Sequence, residues 1–374
     1  MEKYLTQTSD NIKESVAKEC SDVMPSGHVG VCCLDKDRQY AEGIVEDISR
    51  FEYKITFIEY PEGVEADTET ALDIVNSDDD IRFFIGVGDR AIASMLAVAS
   101  KSRSIQYILV ANSPDLNGVG YDIVCDKDEK ATSPKCVYVD TNALDRPYPY
   151  ADLVSSVISH RVELIEKKYI HYLSRRFDER KLAQEQKVLD DIIADGDMSD
   201  RKRLFDGIMK YASLDREKFL SANNLMTKIL GEVCLTNNVG DCRLLTAITL
   251  IKYFKAVLSA EDYYLSIPLD ISPKCRRMSK LINVDISDII AKVQNRKYAR
   301  EWLYIHSEYR EDLLAEVLSL EEKSKKIIKS AKRFMADVGY HLGDDFDSSY
   351  LIDIVYNLSP LVDDCSLISM ADIL

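Results

Sequence analysis

The chain is expected to fold as a parallel α/β half followed by an all-helical half, and three observations predict it. Over the first 150 residues, short apolar runs alternate with helical patterns, and strands alternating with helices make parallel sheets with right-handed crossovers. One run, Phe83-Phe84-Ile85, passes through Gly86-Val87-Gly88 into the pattern Ala91, Ile92, Met95, Leu96, Val98. From Asp152 onward, apolar residues recur at helical spacing almost throughout. The texture changes near Pro147, so the expected halves are residues 1–150 and 151–374.

His28 to Leu34 reads as the first strand, stopped by Asp35-Lys36-Asp37. A helix follows over Tyr40 to Ser49, and Tyr53 to Ile58 is the second strand. Thr68 to Asn76 is amphipathic and exits at Ser77-Asp78-Asp79-Asp80. Ile81 to Ile85 is the third strand, turned by Gly86-Val87-Gly88 into a helix ending near Ser100. Ser104 to Val110 is the fourth strand. In such sheets ligands bind beyond the carboxyl ends of the strands. Asp35, Gly86-Val87-Gly88 and Asn112-Ser113-Pro114 all lie at those ends. A glycine turn before a helix lets backbone N–H groups approach a phosphate, though it serves equally as a plain connection. In the second half, Leu153, Val154, Val157, Ile158, Val162 and Ile165 share a helical face, as do Leu244, Leu245, Ile248, Ile251 and Leu258. The run Glu321-Glu322-Lys323 reads as a solvated face.

Composition narrows the function classes. The chain has 374 residues, 46% hydrophobic and 30% charged, an ordinary globular balance. Its net charge of −16 argues against nucleic acid as partner, because duplex binding needs a concentrated basic surface. No apolar run approaches the roughly 20 residues that span a bilayer, so no membrane role is expected. Nine cysteines without a C-x-x-C pair read as reduced, buried thiols of a cytoplasmic protein.

The order strand, Gly-Val-Gly, helix, strand, then Ser113-Pro114-Asp115-Leu116-Asn117-Gly118 resembles the glycerol-1-phosphate dehydrogenases. These belong to the iron-containing alcohol dehydrogenase group of the dehydroquinate synthase-like superfamily. Ser133-Pro134-Lys135-Cys136-Val137-Tyr138-Val139-Asp140 is similar to a further strand of that family. The resemblance implies a Rossmann-like nucleotide-binding half and an all-helical metal- and substrate-binding half. It implies NAD or NADP held by Asp35, Gly86, Val87, Gly88, Asp89, Ser113, Asp115 and Gly118. It also implies hydride transfer to or from a small polyol phosphate or ketone, with a divalent metal polarising the oxygen.

The family's metal ligands are one aspartate and two histidines. Asp152 in Tyr150-Ala151-Asp152-Leu153-Val154 matches the acid, and it reads equally as a helix-start residue satisfying free N–H groups. At the first histidine position the chain has Arg243, within Gly240-Asp241-Cys242-Arg243-Leu244-Leu245-Thr246-Ala247. Around Asp262-Tyr263-Tyr264-Leu265-Ser266-Ile267, where the second belongs, there is no histidine. Arginine cannot ligate a cation, because it has a fixed charge and no free lone pair. Asp152 and Arg243 thus stand at the catalytic positions, and Asp152 alone remains for a metal. Arg243 is open to three readings: a pair with Asp152, a bidentate grip on a substrate phosphate or carboxylate, or solvent exposure. In the nucleotide loop Asp89 would repel a pyrophosphate, with Arg90 positioned to offset it. Asp35 ends the first strand as an acid favouring NAD over NADP, or as a turn residue. Three functions stay open: an NAD(P)-linked oxidoreductase, a degenerate nucleotide- or metabolite-binding homologue without a metal site, and, less favoured for want of metal ligands and basic residues, a dehydroquinate synthase-like cyclisation. Each takes a small-molecule ligand, and assembly into homo-oligomers is left open.

Overall fold

The computed structural model describes residues 5–9, 11–24, 26–48, 52–61, 64, 66, 68–112, 123–124, 129–140, 147–194, 201–217, 219–234, 239–260, 272–282, 285–293, 300–337 and 348–372. The chain divides into two compact units, residues 1–150 with 201–218, and residues 151–200 with 219–374.

The first unit is built on a six-stranded sheet. Its strands are β1 (Leu5–Ser9), β2 (Gly27–Leu34), β3 (Tyr53–Tyr60), β4 (Phe83–Gly88), β5 (Gln106–Ala111) and β8 (Cys136–Asp140), in the order β1-β8-β5-β4-β2-β3. Every pairing in it is parallel. A separate two-residue hairpin joins β6 (Ile123–Val124) to β7 (Glu129–Lys130). Strands β2, β4, β5 and β8 are almost wholly buried, as expected of central strands covered on both faces. On one face α1 (Ile12–Val23) and α2 (Arg38–Val45) pack through Val16, Cys20, Ala41 and Ile44. On the other, α3 (Thr68–Val75) and α4 (Arg90–Arg103) pack through Ile74, Ile92, Met95 and Leu96.

Three features differ from the sequence reading. Strand β4 runs through Gly88, so the Gly-Val-Gly segment is strand, and the chain turns only at Asp89. Strand β1 and helix α1 stand outside the expected elements. LTQTS carries no apolar run, and β1 is held by its backbone register with β8, Leu5 opposite Cys136. Helix α7 (Arg201–Ser213) contacts β1 and belongs with the sheet unit.

The second unit is helical. It comprises α5 (Pro147–Ser174, its first residues grouped with the sheet unit), α6 (Glu179–Ile193), α8 (Ala222–Cys234), α9 (Val239–Ser259), α10 (Ser272–Ile282), α11 (Ile286–Val293), α12 (Arg300–Asp337), α13 (Ser348–Asn357) and α14 (Leu367–Met370). Helix α5 buries Leu153, Val157, Ile158, Val162, Ile165 and Tyr169. It ends where Arg175 takes φ 55°, its N–H donating to the His171 carbonyl at 2.7 Å. That left-handed step is the usual way of closing a helix C-terminus. Asp178 then caps α6 by accepting from the Arg180 N–H at 2.7 Å. No helix among the described residues is long and apolar enough to cross a membrane.

Candidate functional site

In the sheet unit, successive strands change direction between β2 and β4: β3 lies on one side of β2, while β4, β5 and β8 follow on the other. Helix α2 leaves β2 toward one face of the sheet and α4 leaves β4 toward the opposite face. Connections that part in this way leave a crevice at the carboxyl ends, where doubly wound sheets bind ligands. Cys33 pairs with Val87, so Asp35 after β2 and Asp89 after β4 leave adjacent strands side by side into that crevice. Asp35 is exposed, and its Oδ1 accepts the Lys36 N–H at 2.8 Å.

The glycines of β4 are required by packing. A Cβ on Gly86 would lie 2.6 Å from Leu96 Cδ1 and 3.1 Å from Leu109 Cδ1. Gly88 has φ +156°, and a Cβ there would lie 2.9 Å from Ile92 Cγ1. Both let α4 sit close against the sheet. Val87 is buried between them and faces the α1–α2 side. The N-terminus of α4 is occupied from within, since the Asp89 carboxylate accepts the Ala91 N–H at 2.9 Å. A pyrophosphate at this helix end would compete with that carboxylate. Arg90 is exposed in the first turn. Asn112 follows β5 and donates its N–H to the Gly88 carbonyl at 3.2 Å. Ser113, Asp115 and Gly118 lie outside the described residues.

The helical unit holds the second candidate group. Arg243, on α9, is half-buried, and its Nη1 donates to Ser156 Oγ at 2.8 Å. Ser156 lies four residues after Asp152 on α5, one turn along the same helix face. The Asp152 side chain itself lies outside the described ones. The face continues as a polar stripe of Ser156, Ser159, Glu163 and Glu166, all buried. Glu163 Oε1 accepts from Ser221 Oγ at 3.1 Å, and Glu166 Oε2 accepts from the Ala222 N–H at 2.9 Å. The two glutamates thereby dock the N-terminus of α8. Burial, helped by the neighbouring Glu163 and Asp363 charges against the Ala222 N–H, pushes the Glu166 carboxyl up to about 8. Sequence reading missed this stripe because it followed apolar periodicity; the 3-4-3 spacing of Ser156, Ser159, Glu163 and Glu166 was the available signal.

The family's metal set does not fit these residues. Arg243 is a donor-only cation already directed at Ser156. Among the described residues no three His, Cys, Asp or Glu side chains gather as a metal site. His28 meets Thr56, His160 meets Glu163, His171 meets Glu179 and His306 meets Tyr169. His341 lies outside the described residues.

No protein-family model matches the chain, and no curated protein matches it by sequence. Solved structures do match in fold. The aldehyde reductase YqhD from E. coli aligns with TM-score 0.51 at 10% identity, over 95% of this chain and 97% of its own. A glycerol dehydrogenase from Schizosaccharomyces pombe aligns with TM-score 0.49 at 11% identity, over 91% and 92%. An iron-containing alcohol dehydrogenase from Thermotoga maritima aligns with TM-score 0.49 at 10% identity, over 86% and 99%. The fold expected from the motifs is thus the fold the chain has.

Proposed function

We propose that the protein is a divergent NAD(P)-dependent oxidoreductase acting on a small polyol phosphate or ketone. The observation that carries this reading is the crevice between β2 and β4, with exposed Asp35 on one side and Gly88 on the other. Likeness in fold to an aldehyde reductase supports the class of chemistry by analogy only. When bound, the dinucleotide supplies the hydride. Asp35 would accept a ribose hydroxyl and disfavour a 2′-phosphate, so NAD is the expected form.

A second reading is favoured by a specific observation. Arg243 holds Ser156 at the position where the family would place a metal ligand, and Asp89 caps α4 where a pyrophosphate would lie. On this reading the chain keeps a nucleotide or metabolite site without redox turnover. Thermal-shift titration with NAD, NADP, zinc and ferrous iron, followed by absorbance assays of nicotinamide oxidation, separates the two. Binding to the native state raises stability by about RT ln(1 + [L]/Kd). A shift with NAD larger than with NADP, accompanied by turnover of a polyol phosphate or ketone, is expected. A dinucleotide shift without turnover selects the second reading, and no dinucleotide shift refutes both nucleotide-based readings.

A further inference from the structure

We infer that the outer face of α10 and α13, in the helical unit, docks a short acidic segment of another protein that also carries large apolar side chains. It requires nothing of the function proposed above. Two observations carry it. Helix α10 holds Lys274, Arg276, Arg277 and Lys280 and no acidic residue, in a chain whose net charge is −16. Helix α13 leaves Ile352 61% and Tyr356 57% exposed, one turn apart and so on one helix face. Of the six large apolar side chains exposed among the described residues, no other two stand one turn apart on a helix.

The two helices form one surface. Arg277 Nε and Nη2 both donate to Asp353 Oδ2, at 2.9 and 2.5 Å. Lys274 Nζ lies 4.2 Å from the centre of the Tyr356 ring. Residue 274 thus meets 356 and 277 meets 353, so the helices run antiparallel and set a basic rim beside an apolar strip. Lys274 and Arg277 are occupied, by Asp372 and Asp353. Arg276 and Lys280 are exposed, one turn apart, and have no ion-pair partner among the described residues. An apolar strip rimmed by charge marks an interaction surface.

Charge selects the occupant. Carboxylates of an acidic segment pair with Arg276 and Lys280, while its apolar side chains cover Ile352 and Tyr356. A second copy of this chain brings a net charge of −16 of its own. An anionic bilayer is a broad plane, and the chain's net charge repels it. A short segment meets only the local cations, because charges more than roughly 10 Å away are screened at about 0.1 M salt.

The test uses the full-length chain. Two displayed libraries of short peptides are panned on it: one mixes Asp and Glu with Phe, Leu and Ile, and the other replaces the acids by Lys and Arg. The acidic library is expected to enrich and the basic one is not. Fluorescence anisotropy of the most enriched peptide should show affinity falling as salt is added. Ile352→Ser should weaken it about ten- to a hundredfold, the scale of one buried aliphatic side chain. Arg276→Glu combined with Lys280→Glu should weaken it at least about tenfold. All three residues are exposed, so each variant should melt with the parent, which separates lost binding from lost folding. No enrichment of the acidic library overturns the proposal, as does equal enrichment of both libraries. So does an enriched peptide that binds both variants like the parent. Binding to phosphatidylserine vesicles that Ile352→Ser abolishes, without peptide enrichment, overturns it in favour of a membrane. A parent dimer in sedimentation that Ile352→Ser makes monomeric overturns it in favour of a second copy.

Discussion

At the scale of single residues, two buried titratable groups tie stability to pH in opposite senses. Glu166 is raised from an ordinary carboxyl to about 8, chiefly by burial. A raised acid binds its proton more tightly in the folded state. Its contribution is therefore complete below about 4.5 and is lost as pH climbs toward 8. His306 is lowered from the ordinary imidazole value to about 4, first by burial and then by the Arg310 charge. It is held neutral against the Tyr169 hydroxyl, with Nδ1 2.7 Å from that oxygen. A depressed base gives stability that is complete above about 6.5 and is lost as pH falls toward 4. A tenfold difference in proton affinity between folded and unfolded chain corresponds to ~1.4 kcal/mol, so each group is worth on the order of a few kcal/mol. Glu166→Gln should abolish much of the loss in urea midpoint between pH 5 and pH 8. His306→Gln should flatten the loss between pH 7 and pH 4.5. A Glu166→Gln variant with the parent's pH dependence would mean that this carboxyl is ionised in the fold.

At the scale of elements, the β4–α4 junction decides both packing and ligand preference. Gly86→Ala places a methyl against Leu96 and Leu109, and overpacking of this kind costs about 1–3 kcal/mol. Chemical denaturation should show that loss, whereas Ala at exposed Glu42 should show almost none. Asp89→Ser keeps a side-chain cap on α4 while removing the negative charge. It should leave the melting temperature within a degree or two and tighten NAD binding about tenfold if the pyrophosphate lies there; unchanged affinity would place the pyrophosphate elsewhere. This junction was half legible in the sequence. The apolar run and its glycines announced a strand meeting a helix. What the letters did not reveal is that the glycines are demanded by Leu96 and Ile92, residues of the following helix. Polar β1 escaped for a related reason. Its place comes from backbone pairing with Cys136–Asp140, about 130 residues away in sequence, and nothing in Leu5–Ser9 encodes that partner. Arg243 was legible as a cation in place of a ligand, but its hold on Ser156 depends on the tertiary approach of α9 to α5.

At the scale of the whole molecule, the path of the chain ties the sheet unit to a segment far downstream. The chain leaves that unit near residue 150, returns for residues 201–218 and leaves again. The returning helix α7 buries Leu204, Phe205, Ile208, Met209, Tyr211 and Ala212, and it contacts β1. Full burial of one large apolar side chain contributes about 1.5–3 kcal/mol. Loss of α7 therefore forfeits on the order of 10 kcal/mol, comparable with the ~5–15 kcal/mol that holds a typical domain folded. A fragment of residues 1–150, although it contains every strand of the sheet, is expected to lack a cooperative thermal transition and to bind a hydrophobic dye. Adding a peptide of residues 201–218 should restore part of the transition, because it returns the helix that lies against β1. A fragment 1–150 that melts cooperatively without the peptide would show that α7 is peripheral to the sheet unit. The sequence boundary near residue 150 would then mark a self-sufficient domain.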